Sequence, residues 1–241
     1  MGTKAERKSA NGWFQRRSDR RTLAAQPAHE DVEAQLRELS TQWRRGIASH
    51  VTGLRPRVDL AHDNVRGASG AKVTLVEYGD YQSNSCRAAA RVVRGFERQF
   101  GDDLRMAWRH FPIADAHPHA VGAAAAALAA GAQGCFWEMH DRIHMSEPDH
   151  TGTPDLTPGA LRATAGGLDL DLDRYDAELA DGTHLTHVFE DFNSGVLSGV
   201  NGCPTFFIND RRLDWDFDVA SLEAKLTRAV AVADEAVAVR S

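Results

Sequence analysis

The stretch Lys72 to Arg87, KVTLVEYGDYQSNSCR, changes its hydrophobic period part-way along. Lys72 to Tyr78 is a β-branched and apolar run bounded by Gly70 and Gly79, the pattern of a buried strand. From Cys86 the apolar spacing becomes helical, with Cys86, Ala89, Val93, Phe96 and Phe100 on one face. Ser83 and Ser85 stand just before that helix, where a hydroxyl accepts a backbone N–H left unpaired at a helix start. The positive end of the helix dipole lies at the same point, so a thiolate or bound anion is expected to be stabilised there.

The rest of the chain arranges itself around this unit. Helix 84–100 joins strand 72–78 to strand 104–110, a βαβ unit with a parallel pair and a right-handed crossover. Pro112 ends the second strand. The span from Ala114 to Val200 reads as helical: Ala120 to Ala132, Phe136 to His144, Leu161 to Ala165, Leu172 to Leu179, and Leu185 to Leu197. Thr205 to Ile208 resumes the sheet, Asn209-Asp210 suits a tight turn, and Arg211 to Trp215 returns as its hairpin partner. Asp218 caps a closing helix expected to turn Val219, Leu222, Leu226, Val230, Ala233 and Val237 inward.

Upstream, residues 1–29 are polar, Arg-rich and without periodicity, the composition of a disordered basic tail. Trp13 and Phe14 beside Arg16 and Arg17 form the one feature in it suited to a membrane surface or a partner. Glu30 to Ala48 is an amphipathic helix, with Val32, Leu36, Leu39, Trp43 and Ile47 in a stripe that must bury against the core or against another chain. Thr52 to Gly70 reads as a linker. The domain plan is thus a tail (1–29), a helix and linker (30–70), and an α/β domain (71–238) with a helical insert at about 114–200.

Charge narrows the choice of partners. Seven Lys or Arg against two acids give residues 1–21 a charge of +5, so the remainder carries −11 of a total of −6. An acidic body with no basic stripe argues against nucleic acid. No apolar run is long enough to span a membrane, and no apolar core follows the basic N-terminus as in a secretory signal. A cytoplasmic location is expected, in which three cysteines serve as packed thiols or as chemistry rather than structural disulfides.

Strand, Tyr-Gly-Asp-Tyr loop and a four-residue motif at a helix start resemble the DsbA-like branch of the thioredoxin fold. SGVNGCPTFFIND (198–210) resembles that family's cis-proline loop and following strand, and HFPIADAHPHA with AQGCFWEMHD resembles its helical insert. The likeness runs from about Arg57 to about Val230 and is closest to the thioredoxin domains appended to some NhaA-type sodium/proton antiporters. It implies a thioredoxin-like α/β fold and thiol-disulfide oxidoreductase chemistry on a peptide or thiol substrate in the cis-proline groove. The family motif is Cys-x-x-Cys. This chain has Ser83-Asn84-Ser85-Cys86, so the attacking thiol is a hydroxyl, a poor exchange nucleophile.

The resemblance assigns roles to further residues. Cys86 matches the resolving thiol, with an inert buried thiol as its bland alternative. Glu77 matches the buried acid that relays protons to it, and burial should raise its pKa. Cys203, before the matched cis-proline Pro204, directs a thiol toward the place of the missing cysteine; it pairs with Cys86 in a transposed redox couple or is a neutral substitution. Cys203, Pro204, Tyr81 and His117 are the residues expected to line the substrate groove.

Ser83 also resembles the serine of kappa-class glutathione transferases and chromene-carboxylate isomerases, which makes glutathione a candidate ligand and a simple helix cap the alternative. A third reading keeps the groove as a peptide-binding or regulatory module without redox cycling. No metal is expected. His140 with His144 and His184 with His187 are spaced for two ligands, but neither pair has a third in its segment. Asp169, Asp171 and Asp173 lack the glycine and terminal acid of a calcium loop.

Overall fold

The computed structural model describes residues 29–46, 53–146, 154–213 and 218–238. The basic tail with Trp13 and Phe14, the end of the first helix at residues 47–48, and Trp215 of the expected hairpin lie outside the described residues.

Five strands form one mixed sheet in the order β1-β3-β2-β4-β5. The central pair is parallel: β2 (Val73–Gly79) lies beside β3 (Leu104–His110), joined by α2 (Asn84–Phe100). The other pairings are antiparallel: β1 (Asn64–Arg66) on β3, β4 (Thr205–Ile208) on β2, and β5 (Arg211–Arg212) on β4. Between β3 and β4 come α3 (Ala120–Gly131), α4 (Phe136–Met145), α5 (Pro158–Gly166), α6 (Leu172–Ala180) and α7 (Leu185–Leu197). The chain closes with α8 (Val219–Ala238).

Because strand side chains alternate, each sheet face builds its own core. Val73 and Leu75 of β2 pack with Ala89, Val93 and Phe96 of α2 and with Leu222 and Leu226 of α8. Val76 and Tyr78 face the other way, toward α1 (His29–Gly46), the alanines of α3, and Phe192 of α7. The nearly continuous burial of Ala120 to Ala130 follows from small side chains that admit neighbours on every side. Gly79 ends β2 where a Cβ would lie 2.1 Å from the Trp108 ring, so only glycine admits that indole.

The structure differs from the sequence reading in two places and decides between its alternatives in a third. The segment read as a linker contributes β1, and its Asp63 makes a buried ion pair with Arg109 of β3 at 2.6 Å. Helix α1 buries its stripe on this domain: Leu36 is fully enclosed, and the Trp43 indole packs against Phe111 and Phe192. Helix α8 buries Leu222 and Leu226 but leaves Val219 at its start and Val237 near its end exposed rather than inward.

Candidate functional site

The site forms where β2 ends and α2 begins, opposite the loop that enters β4. Ser83 is the N-cap of α2, and its Oγ accepts the Cys86 N–H at 3.4 Å. Cys86 therefore sits within the first turn on the helix's inner face, and it is fully buried. Its Sγ accepts the main-chain N–H of Asp80 at 3.4 Å.

Cys203 reaches the same place from the other side. The Cys203-Pro204 peptide is cis. Its loop is anchored at both ends: the Trp43 indole donates to the Val200 carbonyl at 2.7 Å, and Arg212 donates to Asn201 Oδ1 at 2.6 Å and to the Gly199 carbonyl. The loop is thus held by α1 and β5. Cys203 is half-buried, and its side chain lies near enough to Cys86 to act on the buried thiol. No disulfide joins Cys86, Cys135 or Cys203.

Glu77 lies under this pair. It is registered between Trp108 of β3 and Phe206 of β4, and it is almost wholly enclosed. Its Oε1 has no hydrogen-bond partner. Burial, and then the charge of Glu97, push its carboxyl well above the usual range. Burial also pushes the Cys86 thiol well above its ordinary value, with the adjacent Cys203 and Glu77 adding to the rise. The dipole of α2 and the Asp80 N–H favour the thiolate, but desolvation outweighs them, so the stabilised thiolate expected from sequence is not found at Cys86.

The remaining expected groove residues divide. His117 is at the rim, its side chain 26% exposed, and its Nδ1 pairs with Asp80 Oδ2 at 2.7 Å. Tyr81 does not line a groove. It is buried, stacks on Trp108 with centroids 5.2 Å apart, and shares a hydrogen bond with His140 Nδ1 at 3.1 Å. An aromatic ring at this point of the loop fills the space between β3 and α4 and has no face left for a substrate.

The sequence reading missed Asp80, and it saw His140 and His144 only as a spaced pair. Asp80, one residue past β2, touches Cys86, His117 and the main chain at Gln82 and Ile113. Its position between strand end and helix cap was the available signal. The histidine pair belongs to a buried set of His110, His140 and His144 around Trp108 and Tyr81. Burial holds all three well below the ordinary imidazole range, His144 to about 3. Among the described residues, no three His, Cys, Asp or Glu are grouped as metal ligands.

A buried acid beneath a helix-start cysteine, facing a cis-proline loop, is the arrangement the sequence resemblance implied. The family model of the DSBA-like thioredoxin domain matches residues 74–227. The chain belongs to that family. Among curated relatives, the Na(+)/H(+) antiporter NhaA 1 of Salinispora arenicola is 42% identical over 186 residues, covering 77% of this chain. NhaA of Herminiimonas arsenicoxydans is 36% identical over 189 residues, again 77% of this chain. The chain spans only 28% of the length of either relative.

Solved DsbA-like proteins share the fold. Oxidised BdbD from Bacillus subtilis superposes with a TM-score of 0.67 at 20% identity, covering 75% of this chain and 98% of that one. Wolbachia pipientis alpha-DsbA1 gives 0.64 at 16% identity, covering 75% and 96%. Among the described residues of this DSBA-like chain, no helix is long and apolar enough to cross a membrane.

Proposed function

We propose that this DSBA-like domain is an atypical cytoplasmic thiol-disulfide oxidoreductase that exchanges electrons through Cys86 and Cys203, in place of a Cys-x-x-Cys pair. The observation that carries the reading is the juxtaposition of Cys86 at the helix start and Cys203 on the cis-proline loop.

Exposure assigns the order of events. Cys203 is half-buried and Cys86 fully enclosed, so Cys203 meets substrate first. Its thiolate attacks one sulfur of a substrate disulfide. That S–S bond breaks, the departing sulfur takes up a proton, and Cys203 is left in a mixed disulfide. Cys86 then gives its proton to Glu77 in the minor fraction of molecules where that carboxyl is ionised, and attacks the Cys203 sulfur. The Cys86–Cys203 bond forms as the mixed disulfide breaks, and the second substrate sulfur leaves as a thiol. The substrate gains two electrons and the pair loses two; a small thiol such as glutathione reverses the change. The high pKa of Cys86 keeps its thiolate scarce, so turnover is slow.

The glutathione-transferase reading draws less support, because Ser83 is buried and its oxygen already caps α2.

Reduction of insulin disulfides, with dithiothreitol as the electron source, tests the proposal. Activity should be well below that of a Cys-x-x-Cys protein and lost in Cys86→Ser and Cys203→Ser. Ser83→Cys, which restores the family motif, should raise it. Unchanged activity in Cys203→Ser would overturn the transposed pair.

A further inference from the structure

Asp80 joins two parts of the site that the exchange chemistry leaves unconnected. Its main-chain N–H holds the Cys86 sulfur at 3.4 Å. Its side chain is wholly buried, with Oδ1 accepting from Gln82 N at 2.7 Å and Oδ2 from Ile113 N at 2.8 Å and from His117 Nδ1 at 2.7 Å. The Gln82 side chain in turn accepts the His119 N–H at 2.8 Å, which ties the 117–119 turn to the loop between β2 and α2. A buried carboxylate fixed by two main-chain donors cannot swing away from its histidine. Any change in the charge of that ring is therefore felt one residue's width from the Cys86 sulfur.

We propose that Asp80 is a positioning residue for the Cys86–Cys203 exchange, one that makes the charge of His117 at the rim control how readily the buried Cys86 thiol reacts. The proposal rests on the transposed-pair reading above. With His117 protonated, the Asp80–His117 pair is neutral overall. With His117 neutral, Asp80 leaves an uncompensated negative charge beside the sulfur, and in a desolvated site that charge opposes formation of the Cys86 thiolate. The groups facing Cys86 are Glu77 from β2, Cys203 from the loop before β4, and Asp80. Glu77 works against the thiolate and the Asp80 main-chain N–H for it; the Asp80 carboxylate charge, when His117 does not offset it, opposes it. Asp80 faces His117 at 2.7 Å.

The test isolates the step in which Cys86 attacks. In a Cys135→Ser background, a chromogenic aromatic disulfide is allowed to cap Cys203, releasing one aromatic thiolate. Attack by Cys86 on the capped Cys203 releases a second. The rate of second release is followed against pH for the parent protein, His117→Ala and Asp80→Asn. At a pH low enough for His117 to be protonated, His117→Ala should slow it about tenfold and Asp80→Asn should speed it several-fold. The parent and His117→Ala profiles should converge as pH rises past the imidazole range.

Opposite signs are what a merely structural contribution would not produce. If both variants slow the step, or neither changes it, the coupling is wrong while the transposed pair stands. If the parent itself gives no second release, the pair reading fails and takes this inference with it. His117 is partly exposed, so His117→Ala keeps the test decisive should Asp80→Asn not fold.

Discussion

Glu77 places a carboxyl group in the middle of a sheet with one oxygen unpartnered. The unfolded chain loses that proton near the ordinary value of 4.5, whereas burial keeps the folded carboxyl protonated well above it. Between those two values unfolding releases a proton, so the stability of the parent falls as pH rises through the window. Glu77→Gln removes the slope. The variant's gain in unfolding free energy should be small near pH 4.5 and grow toward pH 8, to on the order of 1–3 kcal/mol. Denaturation across that range checks it; a difference independent of pH would show that Glu77 is not buried as the acid. Glu77 was legible in the sequence because Leu75, Val76 and Tyr78 around it read as a buried strand. Tyr81 was misassigned because proximity to the motif says nothing about direction: its ring turns inward onto Trp108. The Cys86 thiolate was misjudged for a related reason, since the helix start is visible in sequence but the depth of burial beneath it is not.

At the scale of elements, the strands and helices that carry the site were readable because hydrophobic period and punctuation agree. The period changes from two to 3.6 between Gly79 and Cys86, and β2, α2, β3 and β4 fall within one residue of the expected bounds. Strand β1 gave no such signal. Asn64–Arg66 is short and polar, and it is held by pairing with β3 and by the Arg66 bonds to Glu97 and Asp141. Helix α1 was visible as a stripe, but a stripe does not name its partner. Its anchor is Trp43, enclosed by Phe111 and Phe192 and bonded to the carbonyl of Val200. Trp43→Ala should cost on the order of 3 kcal/mol. For a chain of this size that lowers the thermal midpoint by roughly 10 °C. A single transition shifted as a whole is expected in a circular dichroism melt. An unshifted main transition would mean that α1 is an independent arm. Because the same bond fixes the cis-proline loop, the variant should also slow oxidation of Cys203.

On the scale of the whole molecule, the proposal is that a DSBA-like frame is retained while the dithiol is redistributed. One cysteine stands at the helix start above a buried acid and the other on the loop before β4. The loop that a Cys86–Cys203 bond would close exceeds a hundred residues and contains every helix from α3 to α7. Such a bond would stabilise the folded chain by about 4–5 kcal/mol in the chain-entropy model. The account turns on which cysteines join. The direct measurement is peptide mapping after mild oxidation, with unreacted thiols alkylated before digestion. The predicted result is one linked pair of peptides carrying Cys86 and Cys203, with Cys135 alkylated. Three alkylated cysteines, or a link that includes Cys135, would contradict it.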